Sequence, residues 1–330
     1  MHTSRENQVR IPVLLIGYNR PDFLLNRFRE LATQEIGHLT ISIDGEGMSP
    51  EELTRIEIQA KEILKHKKFH LVIREKNFGL CAHIVSAISE ILSVHPYVII
   101  LEDDISVGEN FYTNMVTGIW LSEKIGGIAA VTSFSALGKN GFGSITSGWR
   151  KTRYFSCWGW ATSRDIWEKY VLDLAGIDIL EELSKSKTWK SLSSHQKAVW
   201  HGRFTKVKAF PSSTWDIQFQ FMCFRYDLTN LAPTRRFSSN HGFDDARSEH
   251  TSGRQPRWMR MTERYEGLIP AEQLSWIARL CQNLIDTNTT AGDSRLTAWI
   301  RHLRMRPSKK TMEIPEGFCS NKKAESVASN

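Results

Sequence analysis

The feature that most constrains the fold of this sequence is a regular alternation of short apolar segments with helical patterns. The apolar segments are 11–17, 39–43, 70–73 and 97–101. The stretches between them carry apolar residues at helical spacing, and Ser49-Pro50-Glu51-Glu52 has the N-cap, proline and acidic residue of a helix start. Such a strand–helix series predicts an α/β fold, in which a mostly parallel sheet has helices on both faces.

Polar residues follow the predicted strands where each one ends. They are Tyr18-Asn19-Arg20, Asp44-Gly45 and Glu102-Asp103-Asp104, and a loop, Asn77-Phe78-Gly79, follows the third strand. Ligands of parallel α/β sheets bind beyond the carboxyl ends of the strands. We therefore expect these residues to lie along one binding edge.

Composition and charge limit the classes of protein to consider. The 330 residues are 41% hydrophobic and 24% charged, which excludes a disordered or collagen-like chain. A net charge of +7 suits a phosphate-bearing partner, which would be a nucleotide, a nucleic acid or an anionic membrane. The longest apolar run, Tyr97 to Leu101, is far shorter than the roughly 20 residues of a membrane span.

Two further features bear on the compartment. Residues 1–6 lack the apolar core of a signal peptide, so we expect a cytoplasmic protein. The 5 cysteines are far apart and contain no Cys-x-x-Cys pair, which favours reduced thiols over a disulfide framework or a zinc ribbon.

The acidic triplet Glu102-Asp103-Asp104 has two interpretations. Acidic residues after a strand often stabilise the start of a helix. Alternatively, adjacent carboxylates at a strand end point to different sides, so that one binds a sugar or ribose while another binds a divalent cation on a diphosphate. Because three neighbouring acids repel one another, the second interpretation is favoured.

Two aromatic segments are candidate parts of the same site. Trp158-Gly159-Trp160 is either a platform for a sugar ring or a core cluster. Asp216 follows Trp215, and an aromatic neighbour would raise the pKa of its carboxyl towards that of a general base. The commoner fate of such a residue is to cap a helix.

Two polar segments complete the candidates. Residues 240–251 are either a solvated loop or a loop that closes on a diphosphate, with Arg247, Arg235 and Arg236 countering its charge and His250 as a late metal ligand. Residues 183–209 are polar and basic, and are predicted to form a surface helix and loop.

The ordered set of these motifs from Ile11 to Thr251 resembles the GT-A nucleotide-sugar glycosyltransferases. It is similar to bacterial family-2-type, hemolytic-protein-like sugar transferases and to the N-acetylglucosaminyltransferase I group. One departure is that Asp216 is followed by Ile217, where that group has a second acid. Acceptor identity is therefore not carried over from the resemblance.

The resemblance implies a role for each matching residue. Arg20 and Asp44 would contact the nucleotide, Glu102 the donor sugar and Asp103 the ribose or sugar. Asp104 would bind Mn²⁺ or Mg²⁺ with His250 as a further ligand, and Asp216 would be the catalytic base. The remaining donor-binding candidates are Tyr18, Asn77, Gly79, Trp158, Gly159, Trp160 and Arg247.

The implied activity is an inverting, metal-dependent transfer of a sugar from a nucleotide-diphosphate donor, which is a UDP-sugar by resemblance. The implied acceptor is a hydroxyl of a glycan or lipid-linked glycan. The implied role is in bacterial surface polysaccharide or lipopolysaccharide synthesis. The implied GT-A domain spans 1–262, with a nucleotide-binding half (8–105) and an acceptor and catalytic half (106–262). A C-terminal helical segment (263–306) and a flexible tail (307–330) follow.

Two alternatives from other classes remain open. The charge and the basic segments 61–68 and 301–306 also suit a non-catalytic binder of membrane or nucleic acid. We expect instead an enzyme that docks on the inner face of the plasma membrane through the basic amphipathic helix 296–306, with no nucleic-acid partner. A sugar nucleotidyltransferase ranks lower, because Gly17-Tyr18-Asn19-Arg20 is not a glycine-rich signature, and a Rossmann dehydrogenase is disfavoured for the same reason.

Overall fold

The computed structural model describes residues 11–134, 147–247 and 264–271. The main sheet contains β1 (Val13–Gly17), β2 (Leu39–Ile43), β3 (Phe69–Ile73), β4 (Tyr97–Glu102), β6 (Ile128–Thr132), β7 (Trp149–Thr152), β8 (Trp160–Ser163) and β9 (Thr229–Pro233). A separate two-stranded ribbon pairs β5 (Ile105–Val107) with β10 (Ser238–Asn240). The helices are α1 (Pro21–Ala32), α2 (Pro50–Ile63), α3 (Leu80–Val94), α4 (Phe111–Ile125), α5 (Arg164–Trp167), α6 (Ile179–Lys185), α7 (Lys187–Lys190), α8 (Ser194–Ala209) and α9 (Asp216–Arg225).

The strand order of the main sheet is β3-β2-β1-β4-β8-β6-β9-β7. The first four strands of this order are parallel to one another. Strand β8 is antiparallel to both β4 and β6, and β9 is parallel to β6, so β6 and β9 point the same way as β4. The predicted α/β class with a mixed, mostly parallel sheet is confirmed.

Alternate residues of the central strand face two different cores. Val13 and Leu15 of β1 pack in a cluster with residues of α1, α2 and α4, whereas Leu14 and Ile16 pack in a cluster with residues of α3, α5 and α9. All five residues of β1 are buried, as an apolar strand covered on both sides must be. The prediction of helices on both faces is confirmed.

The prediction of a surface helix and loop over 183–209 holds for the polar residues of α7 and α8, none of which is buried, but it missed a buried apolar face. Apolar residues of this segment are buried in a third cluster together with Phe221 and Phe224 of α9. They are Leu183, Trp189, Leu192, Trp200, Phe204 and Val207. The lysines and serines between these residues make the segment look polar. The helix that buries the apolar face, α9, is remote in sequence.

Several helix starts follow the predicted chemistry. Ser49 accepts a hydrogen bond from the Glu52 amide, and the Glu52 carboxylate accepts one from the Ser49 amide, so the predicted capping box is present. Ser163 caps α5 in a similar way, because its hydroxyl accepts a hydrogen bond from the Ile166 amide. The predicted apolar segments match β1 to β4 within two residues at each end.

The C-terminal predictions fall mainly outside the described residues. Of the segment 263–306, the structure describes 264–271, which contain no helix, and the tail 307–330 is not described. Cys81, Cys157 and Cys223 are free thiols. Across the described ranges, no helix has the length and apolar character needed to cross a bilayer.

Candidate active site

The carboxyl ends of β1, β2 and β4 lie side by side at one edge of the sheet. The register places Gly17 of β1 beside Ile43 of β2, and Ile16 of β1 beside Glu102 of β4. The polar residues that follow these strands are therefore neighbours, although 84 positions separate Arg20 from Asp104.

Arg20 is the cation that faces the acidic residues after β4. Its Nη2 donates to Asp103 Oδ1, and its Nη1 donates to Asp104 Oδ2 at 3.3 Å. The exposed fractions of the three side chains are 14%, 3% and 11%, so their charges interact in a largely dehydrated environment. Arg20 therefore holds both carboxylates at the end of the strand.

Arg27 and Glu30 of α1 link this helix to the backbone of the acidic residues and to the strand that follows them. Arg27 Nη1 donates to the Asp103 carbonyl at 3.4 Å, and its Nη2 donates to Glu30 Oε1 at 2.8 Å. Glu30 Oε2 accepts from the Val107 amide at 2.8 Å. The sequence interpretation missed this pair, although an arginine next to Phe28 on the buried face of α1 is the signal that would have identified it.

Burial raises the pKa of all three acids of the triplet. The pKa of Glu102 rises well above its usual range through burial and the charges of Asp104, Asp103 and Asp216. Burial raises the pKa of Asp103 to about 7, although Arg20 opposes the shift, and it raises the pKa of Asp104 against the same opposition. A further cation at this position would favour the ionised carboxylates.

Asp44 connects the end of β2 to the loop after β3. Its Oδ1 accepts from the Gly45 and Phe78 amides at 3.0 and 2.9 Å, and its Oδ2 accepts from the Gly79 amide at 3.0 Å. Gly79 has φ of 78°, which favours glycine. The Asp44 carboxylate and Gly79 thus shape the loop, and in this structure both carboxylate oxygens are engaged with the backbone.

Tyr18, after β1, and Asn77, after β3, contact each other at the same edge of the sheet. Asn77 Nδ2 donates to the Tyr18 hydroxyl at 2.9 Å. A Cβ on Gly47 would lie 2.5 Å from the Tyr18 ring, so this ring needs a glycine beside it. A half-buried tyrosine with polar neighbours is suited to stacking on a planar base.

The predicted aromatic platform divides into two parts. The Trp160 ring is fully buried and stacks on Trp215 at 5.2 Å, so it is a core residue and the prediction that it contacts a donor needs correction. Trp158 is half-buried and makes an edge contact with Phe243 at 5.9 Å. Gly159 has φ of 76°, and a Cβ there would lie 2.4 Å from Ser133 Oγ, so this glycine is required for the turn rather than for a ligand.

Asp216 is the first residue of α9 and is half-buried. Its Oδ1 accepts a hydrogen bond from Thr214 Oγ1. The preceding residue, Trp215, is buried, and its carbonyl accepts from the Tyr170 hydroxyl at 3.1 Å. The buried tryptophan anchors the start of α9, so the carboxylate is held at a fixed position beside the aromatic core.

Gln220 ties α9 to the segment that leads to Trp158. Its Oε1 accepts from the Phe155 amide at 2.7 Å, and its Nε2 donates to the Arg153 carbonyl at 3.0 Å. The sequence interpretation missed this residue. A glutamine within the apolar run of α9 was the available signal, since a buried amide needs polar partners.

Cys157 is within electrostatic range of both the acidic triplet and Asp216. Burial raises the pKa of its thiol well above the usual range, and the charges of Glu102, Asp216 and Asp104 raise it further. Because Asp216 also acts on the pKa of Glu102, the carboxylates from β4 and from α9 share one electrostatic environment. The structure therefore brings the two acidic parts of the predicted site together.

The segment after β10 closes against the same edge. The His241 amide donates to the Asp104 carbonyl at 2.9 Å. Arg247 donates to Asp22 at 2.7 Å and forms an ion pair with Asp245, so its guanidinium is engaged with protein carboxylates here. His250, the predicted late metal ligand, lies outside the described residues.

The donor set suits a divalent cation that takes part of its coordination from a ligand. Asp103 Oδ2 is buried and accepts no hydrogen bond, and Asp104 lies next to it. Among residues 11–134, 147–247 and 264–271, no group of three or more His, Cys, Asp and Glu side chains is arranged to hold a metal ion. One or two carboxylates completed by substrate phosphates is the arrangement that Mg²⁺ commonly adopts.

Comparison with known proteins gives weak likenesses to solved structures only. No family model and no curated protein sequence matches the chain. The galactosyltransferase LgtC, in complex with donor and acceptor sugar analogs, is 11% identical, with a TM-score of 0.35 over 65% of this chain and 70% of its own. TarS of S. aureus is 12% identical, with a TM-score of 0.36 over 68% of this chain and 35% of its own.

A UDP-glucose pyrophosphorylase complexed with UDP-glucose is 9% identical, with a TM-score of 0.33 over 68% of this chain and 90% of its own. With TM-scores below 0.5, these likenesses establish neither a family nor an activity. The functional conclusion therefore rests on the residues of the site.

Proposed function

We propose that this protein is a GT-A-type glycosyltransferase that moves a sugar from a nucleotide-diphosphate donor to a hydroxyl of a glycan or lipid-linked glycan. The observation that carries the proposal is the proximity of two acidic groups: Trp160 pairs with Ile100 of β4, two residues before Glu102, and it stacks at 5.2 Å on Trp215, which precedes Asp216. The first group is the acidic triplet at the end of β4, and it pairs with Arg20, a cation that suits a diphosphate site. The second is Asp216, which begins α9 in the half proposed to receive the acceptor.

The donor would lie along the edge formed by the ends of β1, β2 and β4. Tyr18 and Asn77 offer a flat ring and an amide for a nucleotide base, while Asp44 and Gly79 shape the loop beside them. Arg20, which pairs with Asp103 and Asp104 in this structure, would supply positive charge to the diphosphate. UDP is the nucleotide that we propose, on the resemblance described above.

Asp103 and Asp104 would hold a Mn²⁺ or Mg²⁺ ion. When bound, such an ion offsets the charge that develops on the departing diphosphate. Arg20 keeps the two carboxylates together, and the buried Oδ2 of Asp103 has an open acceptor position. Glu102, half-buried beside them, would accept a hydrogen bond from a sugar hydroxyl.

Asp216 would act as the general base. Its carboxylate takes the proton of the acceptor hydroxyl, whose oxygen attacks the anomeric carbon as the bond to the diphosphate breaks. A single base on the side opposite the leaving group produces inversion. Trp158, which is half-buried and follows Cys157, would stack its ring on the transferred sugar.

We further propose a cytoplasmic enzyme that acts on bacterial surface polysaccharide or lipopolysaccharide at the inner face of the plasma membrane. The basic segment 296–306 would provide the contact with anionic lipid, and it lies outside the described residues. A nucleic-acid partner is not part of the proposal.

Calorimetric titration of UDP and UDP-sugars, with and without Mn²⁺, tests the donor site. We expect Mn²⁺-dependent binding of UDP, and D104N should weaken it by roughly ten- to a hundredfold because a charge-assisted contact is lost. The matched control is D178N, since Asp178 is an exposed helix cap whose function asparagine retains. Equal binding by wild type, D104N and D178N would contradict the metal assignment, and no binding of any nucleotide would contradict the function.

A further inference from the structure

Arg236 is a buried arginine that has no carboxylate partner among the residues that the structure describes. Its residue is 6% exposed, and its Nε donates no hydrogen bond. Burial lowers the pKa of its guanidinium, and no acidic side chain of the described ranges opposes that shift. The neighbouring Arg235, by contrast, stacks over the Tyr265 ring at 4.8 Å.

The position of Arg236 places it at the ligand-binding edge of the sheet. Strand β9 ends at Pro233 and points the same way as β4, so the residues that follow β9 emerge at the edge where the acidic triplet lies. The Phe237 amide donates to the carbonyl of Ser133, which follows β6. Arg236 therefore lies at the end of β6 and β9, in the half of the sheet away from β1 to β3.

Positive charge is concentrated in this half of the chain. Arg150, which is also buried, lies in β7 opposite Ala232 of β9. The segment 183–215, which leads to Asp216, contains 7 Lys and Arg and no Asp or Glu. The half of the molecule that would receive the acceptor is therefore basic.

A buried charge without a partner reduces the stability of the folded protein, so its retention calls for a ligand that pairs with it. A guanidinium is suited to bidentate contact with a phosphate or carboxylate. We infer that Arg236 binds an oxyanion of the acceptor, and hence that the acceptor is an acidic glycan or one that bears phosphate. That the oxyanion belongs to a sugar acceptor rests on the proposed function. That Arg236 binds an oxyanion does not depend on it.

Thermal-shift titrations with glucose 6-phosphate, glucuronic acid and glucose test the inference. The sugar phosphate or the uronic acid should raise the melting temperature of the wild type, while glucose should not. A response to the first alone indicates a phosphate ligand, and a response to the second alone indicates a carboxylate. Equal responses to all three sugars would overturn the inference.

Variants assign the response to a residue. R236M should bind the anion roughly ten- to a hundredfold more weakly and should melt at the same or a higher temperature, since an unpaired buried charge is removed. R236K should retain part of the binding, and R55M, at an exposed position of α2, is the control that should behave as wild type. Loss of the response in R20M with retention in R236M would overturn the inference, because the anion would then occupy the donor site.

The two proposals fail in different ways. An Arg236-dependent response without any nucleotide binding would overturn the transferase and support the oxyanion site. Nucleotide binding without an Arg236-dependent response would support the transferase and overturn the oxyanion site.

Discussion

The two halves of the sheet build their polar sites in different ways. In the half from β1 to β4, each functional residue follows a strand directly, and parallel pairing aligns the strand ends. In the half from β6 to β9, Asp216 is positioned through Trp215 and Tyr170, and the segment before Trp158 is positioned through Gln220. The first site depends on local order along the chain, and the second depends on side-chain contacts between remote segments.

This difference predicts which half tolerates substitution. A strand end keeps its position as long as the strand pairs, so the donor side should be sensitive mainly to the loss of charge balance. The half from β6 to β9 should be sensitive to the loss of single buried hydrogen bonds, because few contacts fix the proposed base, Asp216, and the segment before Trp158.

The largest effect is expected for D216N. Loss of the base should lower sugar transfer by about 10²- to 10⁴-fold, with binding of UDP and Mn²⁺ unchanged. Release of UDP in the presence of an acceptor measures this, with D178N as the control. Turnover within a factor of about two of wild type would show that Asp216 is not the base. The half from β6 to β9 would then lack the catalytic group proposed for it.

R20M tests charge balance on the donor side. Removing the guanidinium leaves two buried carboxylates side by side, and we expect the free energy of unfolding to fall by about 3–5 kcal/mol. Chemical denaturation at neutral pH provides the measurement. R29M is the matched control, because Arg29 lies on the exposed face of α1, the helix that Arg20 precedes, and an equal effect of both variants would show that Arg20 does not balance the triplet.

His83 makes the donor side sensitive to pH. It is buried on α3 with its Nε2 2.8 Å from Ser42 Oγ, and burial lowers its pKa to about 4. Because the unfolded chain binds a proton below about pH 6.5 and the folded protein does not, this contribution to stability is complete above pH 6.5 and is lost as the pH falls towards 4. The loss should reach at most about 3 kcal/mol.

Denaturation of wild type and H83Q between pH 7.5 and 4.5 tests this dependence. The difference in stability between the two proteins should shrink as the pH falls. H70Q is the control, since His70 is exposed on β3 and its substitution should leave the slope unchanged. A pH-independent difference between wild type and H83Q would contradict the assignment.

Q220L tests the acceptor side and should have the smallest effect. Two backbone groups, the Phe155 amide and the Arg153 carbonyl, lose their partner, so we expect a loss of about 1–3 kcal/mol in stability. Transfer should fall more than UDP binding, since Cys157 and Trp158 move relative to Asp216. Q59L on the surface of α2 is the control, and a parallel fall in binding and transfer would mean that the halves are not independent.

The sequence predicted the first half of the fold closely, because fully buried strands and amphipathic helices leave a clear periodic pattern. It predicted the second half poorly. Trp160 and the apolar residues of 183–209 are buried by partners that no local pattern reveals, such as Trp215 for the first and α9 for the second. The antiparallel strands β7 and β8 are too short to show an alternating pattern.

By itself, the sequence determined that polar residues stand at the ends of consecutive parallel strands, because each apolar segment both forms a strand and marks where it ends. Only the tertiary structure decided which aromatic residues are core, that Arg20 balances the acids, and that Asp216 lies within electrostatic range of Glu102. These outcomes depend on contacts between residues 55 to 114 positions apart, which folding fixes through packing and burial and which no local pattern encodes.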